Sequence, residues 1–167
     1  LPGVERFHVI NTHLEAFSSD GTKKEQIDQL HAHFSRLGED AFWVGGGDLN
    51  SLPPGSLTLK GFADDCESGE QRFAGDDYND EEDWIANYFT DFESVMPLDD
   101  YQADNSKWFS YSGDANTGWT RTLDYLFSNI PWVAEEGMVM QSAEQGGFET
   151  IHLSDHAPVR GVLDFQP

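Results

Sequence analysis

One cysteine, Cys66, is all that the 167 residues contain. It excludes an internal disulfide and a zinc site built on several cysteines, and it leaves the redox compartment open. Basic residues are scarce too: nine lysines and arginines, only four of them lysine, face thirty-one acidic residues, for a formal charge of −22. Such a chain repels polyanions at long range, which excludes a generic basic nucleic-acid surface. Phosphodiester chemistry at one pocket is still allowed, because bound metal ions reverse the local sign. No apolar run approaches the ~20 residues that cross a bilayer, so no transmembrane segment is expected. The opening Leu1-Pro2-Gly3-Val4 passes into a strand by Phe7, with no room for a signal peptide. The expectation is a soluble chain forming one domain over 1–167, with a secreted or periplasmic location slightly favoured over the cytoplasm. Repeats, low-complexity tracts and linkers are absent.

What is present is an alternation of strand and helix signals. Arg6 to Thr12 alternates as a strand, with Phe7, Val9 and Asn11 on one side and His13 at its end. Thr22-Lys23-Lys24-Glu25 matches a capping box, and Ile27, Leu30, Phe34 and Leu37 follow at helical spacing until Gly38. Ala41 to Gly45 is a short apolar run expected to be a buried strand that delivers Asp48 and Asn50 into a loop. This strand–helix–strand order predicts an α/β fold, whose ligands gather beyond the carboxyl ends of strands. Residues 64–83 carry ten acidic side chains and read as a solvated loop, although Asp77, Asn79 and Glu81 are oxygen donors of the kind calcium takes. A short helix is expected from about Asp83 to Phe89, then strands at Trp108–Ser112, Thr122–Ser128, Met138–Ser142 and Val159–Phe165.

Four short motifs carry chemistry. Asp48 and Asn50, two apart, send both side chains to one face if the segment is extended. The carboxylate can hold a hard cation or orient water, and the amide can hold a phosphate oxygen or a metal; the alternative is an Asx turn after three glycines. Asp155 and His156 serve one pocket only if the chain bends between them. Asp155 would then be a metal ligand and His156 a proton donor or charge stabiliser, against a plain surface turn. Asp124 lies among Leu123, Tyr125, Leu126 and Phe127, where an unpaired carboxylate is costly. His156 is its candidate partner, with a solvent-facing aspartate at a sheet edge as the alternative. His13 can donate to a phosphate oxygen or leaving group. His31 and His33 are read as surface residues, and His8 and His152 carry no motif. Trp108, Phe109, Tyr111 and Trp119 either line a substrate pocket, contact lipid or fill the core.

Asn11-Thr12-His13-Leu14, Gly47-Asp48-Leu49-Asn50, Leu123-Asp124-Tyr125-Leu126-Phe127 and Ser154-Asp155-His156-Ala157-Pro158-Val159, in this order, resemble the endonuclease/exonuclease/phosphatase superfamily. The resemblance implies a four-layered α/β sandwich and metal-dependent hydrolysis of a phosphoester. It assigns catalytic roles to His13, Asp48, Asn50, Asp124 and His156. It assigns metal binding to Asp48, Asn50 and Asp155, for Mg²⁺ or Mn²⁺, with Ca²⁺ also admissible. The substrate is a small phosphoester, a lipid head group or a nucleic acid. Relatives carry an N-terminal half with an asparagine and a glutamate that complete the site, and the ten residues before Asn11 hold no match to it. The chain is therefore expected to be the C-terminal part of the sandwich, a sheet with flanking helices whose apolar face is covered by the missing half or a second copy. The rival expectation is a noncatalytic fragment that binds a partner through that face. On the first expectation the 167-residue chain alone binds Mg²⁺ weakly and hydrolyses little; micromolar Mg²⁺ affinity by calorimetry would count against it.

Overall fold

The structure, a computed structural model, describes residues 6–16, 20–37, 41–57, 81, 83–113, 115–146 and 149–165. It is a mixed α/β fold built on a four-stranded mixed sheet. Strand β1 (Phe7–His13) runs parallel to β2 (Phe42–Asp48), and helix α1 (Thr22–Leu37) lies between them in sequence. After α2 (Ala86–Asp91), the two-residue β3 (Glu93–Ser94) pairs with β4 (Asp124–Ser128), which is itself antiparallel to β2. The order across the sheet is β1-β2-β4-β3. Helix α3 (Leu98–Ala103) and a 3₁₀ turn (Asn105–Trp108) precede β4; β5 (Met138–Val139), α4 (Ala143–Gly146) and β6 (Val159–Arg160) follow it, with β5 and β6 paired as a separate ribbon. Among the described residues no helix is long and apolar enough to cross a membrane.

The apolar period of α1 does what its spacing predicts. Ile27 and Phe34 are fully buried, and the Phe34 ring stacks on Trp43 of β2 at 4.5 Å. The helix starts differently from the capping-box expectation: Thr22 is its first residue, and the Asp20 carboxylate accepts the Thr22 N–H at 2.9 Å. That hydrogen bond holds the exposed Asp20 carboxyl below the usual aspartate range. Gly38, the expected stop, lies outside the described residues. Lys23 is buried and its ammonium meets the Glu81 carboxylate at 2.5 Å. Glu81 is thus an ion-pair partner and not the solvated calcium donor its loop suggested; Asp77 and Asn79 lie outside the described residues.

Alternation along the strands divides the sheet into two faces. Ile10, Trp43, Tyr125 and Phe127 face α1 and α2, where Tyr88 packs on Phe127 at 5.2 Å and donates its hydroxyl to the Ile27 carbonyl. The other face carries Val9, Val44, Gly46 and Leu126 and opens onto a trough of about 500 Å³, bordered by Pro158 and Val159. Val9 is 75% exposed there.

The later strands are shorter than their sequence windows. Trp108 closes a 3₁₀ turn, and Tyr111 joins the sheet region only through single bridges to Arg121 and His156. Pro158 has no N–H to donate, so β6 begins at Val159, after Pro158 has accepted the Met140 N–H through its carbonyl. The helix expected from Asp83 begins later, because Glu81 and Asp83 accept from Trp84 and Ala86 in turns that precede it.

Gly46 and Gly47 let β2 lie between its neighbours. A Cβ on Gly46 would stand 1.9 Å from the Tyr125 carbonyl oxygen, and one on Gly47, at φ +128°, would stand 2.1 Å from that of Thr12. Neither backbone oxygen can withdraw without breaking the ladder. Gly46→Ala or Gly47→Ala should therefore destabilise the fold by about 3 kcal/mol. Gly118→Ala, with positive φ but open space around it, should cost only about 1 kcal/mol. Urea unfolding of the three variants checks the ranking, and equal midpoints would contradict it.

Candidate active site

Three functional side chains are brought together by strand register alone. His13 is the partner of Asp48 across β1 and β2, and Asp48 is the partner of Asp124 across β2 and β4. Residues directly opposite in a ladder project to the same face, so an imidazole and two carboxylates form a row at one end of the sheet. His13 Nε2 lies 3.4 Å from Asp48 Oδ2, with the histidine 73% exposed at the rim and the aspartate nearly buried.

The segment after Asp48 folds back on it. Asp48 Oδ1 accepts the Asn50 N–H at 2.8 Å, an Asx turn that places Asn50 at φ +49°. The turn and the site were alternatives in the sequence; here one carboxylate serves both, Oδ1 holding the turn while Oδ2 faces the imidazoles. Asn50 is buried, and its Nδ2 donates to the Leu14 carbonyl at 2.9 Å. A carbonyl can only accept, which fixes the amide's orientation and leaves its own oxygen for a ligand.

His156 joins the row from the other side. Its Nδ1 donates to Asp124 Oδ2 at 2.7 Å, and its Nε2 lies 3.6 Å from Asp48 Oδ2. The chain turns here without bringing the Asp155 side chain into the row: Ser154 Oγ accepts the His156 N–H, while the Asp155 carbonyl accepts from Ser112 and the Ser110 carbonyl from Ala157. Asp124 is thus a paired carboxylate, and the solvent-facing alternative falls away. Asp155 stands apart: ligand atoms of Asp48, Asp124 and His156 all lie within 4.8 Å of one another, and the exposed Asp155 is outside that group.

Burial and the neighbouring Asp124 charge push the Asp48 carboxyl up to about 6, partly offset by the Asn50 N–H and the two histidines. The Asp124 hydrogen bond raises His156 above the ordinary histidine value against desolvation, with the Asp48 and Asp155 charges adding to it. Among the described residues the ion-pair partners of Asp48 are His13 and His156. The clustered carboxylate oxygens of Asp48 and Asp124 suit a hard divalent cation. A cation would also relieve the repulsion that holds Asp48 up.

One residue at the site, Ser110, was missed in the sequence. Ser110 is fully buried and its hydroxyl donates to Asp124 Oδ2 at 2.7 Å; the Tyr111 ring lies 5.1 Å from that of His156. The only sequence signal for Ser110 was a small polar residue inside the aromatic run Trp108-Phe109-Ser110-Tyr111. Trp108 is buried and Trp119 donates to the Gln141 carbonyl while packing on the core, so these two are structural, whereas the buried Tyr111 lies beside His156. His31 is also corrected: it is half-buried, bonded to Asp91 at 3.0 Å and packed against Tyr88 and Phe92. His33 is exposed, as expected.

Comparison of the chain with protein-family models, curated proteins and solved structures finds no match. The site therefore stands on its own geometry.

Because the folded value of Asp48 lies above its unfolded value of 3.8, its contribution to stability is fully present below that pH and is lost as pH rises through about 6. Asp48→Asn keeps the acceptor for Asn50 and removes the charge. In metal-free buffer the variant should be about 2–3 kcal/mol more stable than the parent at pH 8 and nearly equal to it at pH 4. Denaturant titrations at the two pH values check this, and a pH-independent difference would refute it.

Proposed function

We propose that the chain is the C-terminal part of a deoxyribonuclease-like domain of the endonuclease/exonuclease/phosphatase superfamily, and that the site hydrolyses a phosphoester with the help of a divalent cation. One observation carries this reading: motifs spread from residue 13 to residue 156 meet at one sheet end, with His13, Asp48 and Asp124 in register and His156 bonded to Asp124.

The roles follow from protonation. In the metal-free site Asp48, at about 6, is ionised at neutral pH, and its carboxylate orients or deprotonates an attacking water. His156, whose protonated form Asp124 favours, donates from Nε2 to a phosphoryl oxygen as negative charge builds there. His13, exposed at the rim, donates to the leaving oxygen, and Asn50 holds the phosphate or the cation through its amide. Asp48 and Asp124, with Asn50, would hold Mg²⁺ or Mn²⁺, and Ca²⁺ fits the same oxygen donors; Asp155, expected from the resemblance to be a ligand, lies outside their group. When bound, such a cation neutralises phosphate charge and favours displacement at phosphorus.

The four-layered sandwich belongs to the same reading. The open trough over Val9, Val44 and Leu126 is the face a second sheet would cover. The trough is also what favours a noncatalytic binding fragment, whereas the paired Asp124 and His156 have no evident use in simple docking. The charge of −22 favours a small phosphoester, a lipid head group or a nucleic acid bound through the cation over nonspecific tracking along a polyanion.

An N-terminally extended protein should hydrolyse a chromogenic phosphodiester or phosphomonoester with Mg²⁺ or Mn²⁺. Its His156→Ala variant should be at least ~100-fold slower, and the 167-residue chain should be nearly inactive. An extended protein inert toward both substrate types would refute the enzymatic reading.

A further inference from the structure

The segment 110–112 touches the site at three successive residues. Ser110 bonds Asp124, the Tyr111 ring packs beside His156, and the Ser112 N–H donates to the Asp155 carbonyl at 2.9 Å. Ser110 places its side-chain hydroxyl directly on the Asp124–His156 pair.

Its hydroxyl has a fully determined environment. A serine oxygen offers two lone pairs and one proton. The lone pairs of Ser110 Oγ accept the N–H groups of Leu123 at 3.1 Å and Asp124 at 3.0 Å. Its proton is left for Asp124 Oδ2 at 2.7 Å, the same oxygen that accepts from His156 Nδ1. The main chain of Ser110 is pinned as well, its N–H donating to the Arg121 carbonyl and its carbonyl accepting from Ala157, both at 2.7 Å. The side chain therefore cannot turn away without stranding buried groups, each costly to leave unpaired.

We propose that Ser110 is a positioning residue: its hydroxyl locks the Asp124 carboxylate so that Oδ2 faces His156, which keeps the histidine protonated at Nδ1 with Nε2 turned toward Asp48. Partners behind an imidazole set both its tautomer and its orientation. The catalytic consequence rests on the phosphoesterase reading; the effect on the imidazole does not.

The test separates the two. ¹⁵N NMR of the metal-free chain reads the His156 tautomer without any substrate. In the parent, Nδ1 should stay protonated even where the ring is neutral. In Ser110→Ala the ring should drift toward the Nε2–H form that free imidazoles prefer, and Ser110→Thr, which keeps the hydroxyl, should restore the parent spectrum. In an active, extended protein the alanine variant should lose about tenfold in kcat with KM within twofold. An unchanged His156 tautomer in Ser110→Ala overturns the proposal whatever the rate does. If the alanine or threonine variant fails to fold, Ser110→Cys, close in size and a weak donor, decides by the same spectrum: a shift toward Nε2–H supports the role and an unchanged spectrum refutes it. An inactive extended parent would sink the phosphoesterase reading and leave the tautomer result standing.

Discussion

The register of β2 between its two neighbours is the constraint on which the site depends. Because β1 is parallel and β4 antiparallel to it, the carboxyl ends of β1 and β2 and the amino end of β4 fall at one edge of the sheet. A slip of one residue on either side would send His13 or Asp124 to the opposite face, into the aromatic packing beneath α1 and α2. The register is held by sterics as much as by hydrogen bonds, since the carbonyls of Thr12 and Tyr125 occupy the space that side chains at Gly47 and Gly46 would need. The glycines that look like loop signals in the sequence are strand residues whose missing side chains let three backbones come together.

That register puts two carboxylates opposite each other, an arrangement that opposes folding. A chain already at −22 has little spare positive charge to offset it, and among the described residues the ion-pair partners of Asp48 are imidazoles. The repulsion is absorbed in three ways: Asp124 is bonded to Ser110 and His156, Asp48 gives one oxygen to a backbone N–H, and Asp48 stays close to its protonation point. The cost is local and falls on groups able to move protons, as the proposed reading requires.

Much of this was legible in the sequence where the physics is local. The Ile27 and Phe34 spacing located α1, because burial of one helix face depends only on neighbours in the chain. Strand alternation located β1 and the position of His13 at its end. The pairing of Asp124 with His156 was legible for another reason: an acidic residue in an apolar strand needs a partner, and few candidates existed. Ser110 was not legible, since a serine's use is set by what lies across the sheet. Nor was the Lys23–Glu81 pair, whose members look like solvated charges until both are found buried against each other. The short extent of β5 escaped as well, because β-branched windows mark residues able to pair, while Pro158, opposite Met140 and without an N–H, decides where its pairing with β6 stops.

The trough and the row of Asp48, Asp124 and His156 share side chains, and this links the fold to the candidate site. Asp124 and His156 line the same cavity as Val9, Val44 and Leu126. Whatever covers the apolar part also removes water from the Asp124–His156 pair. In a drier setting an ion pair is electrostatically stronger, while an unpaired carboxylate is more costly. Covering the face would therefore tighten the hold of Asp124 on the His156 proton and deepen the demand of Asp48 for a counter-charge, which a cation satisfies better than a second imidazole. On the proposed reading, completion of the sheet and loading of the metal reinforce each other, so the uncovered chain should be a weak metal binder for electrostatic reasons as well as for want of a ligand.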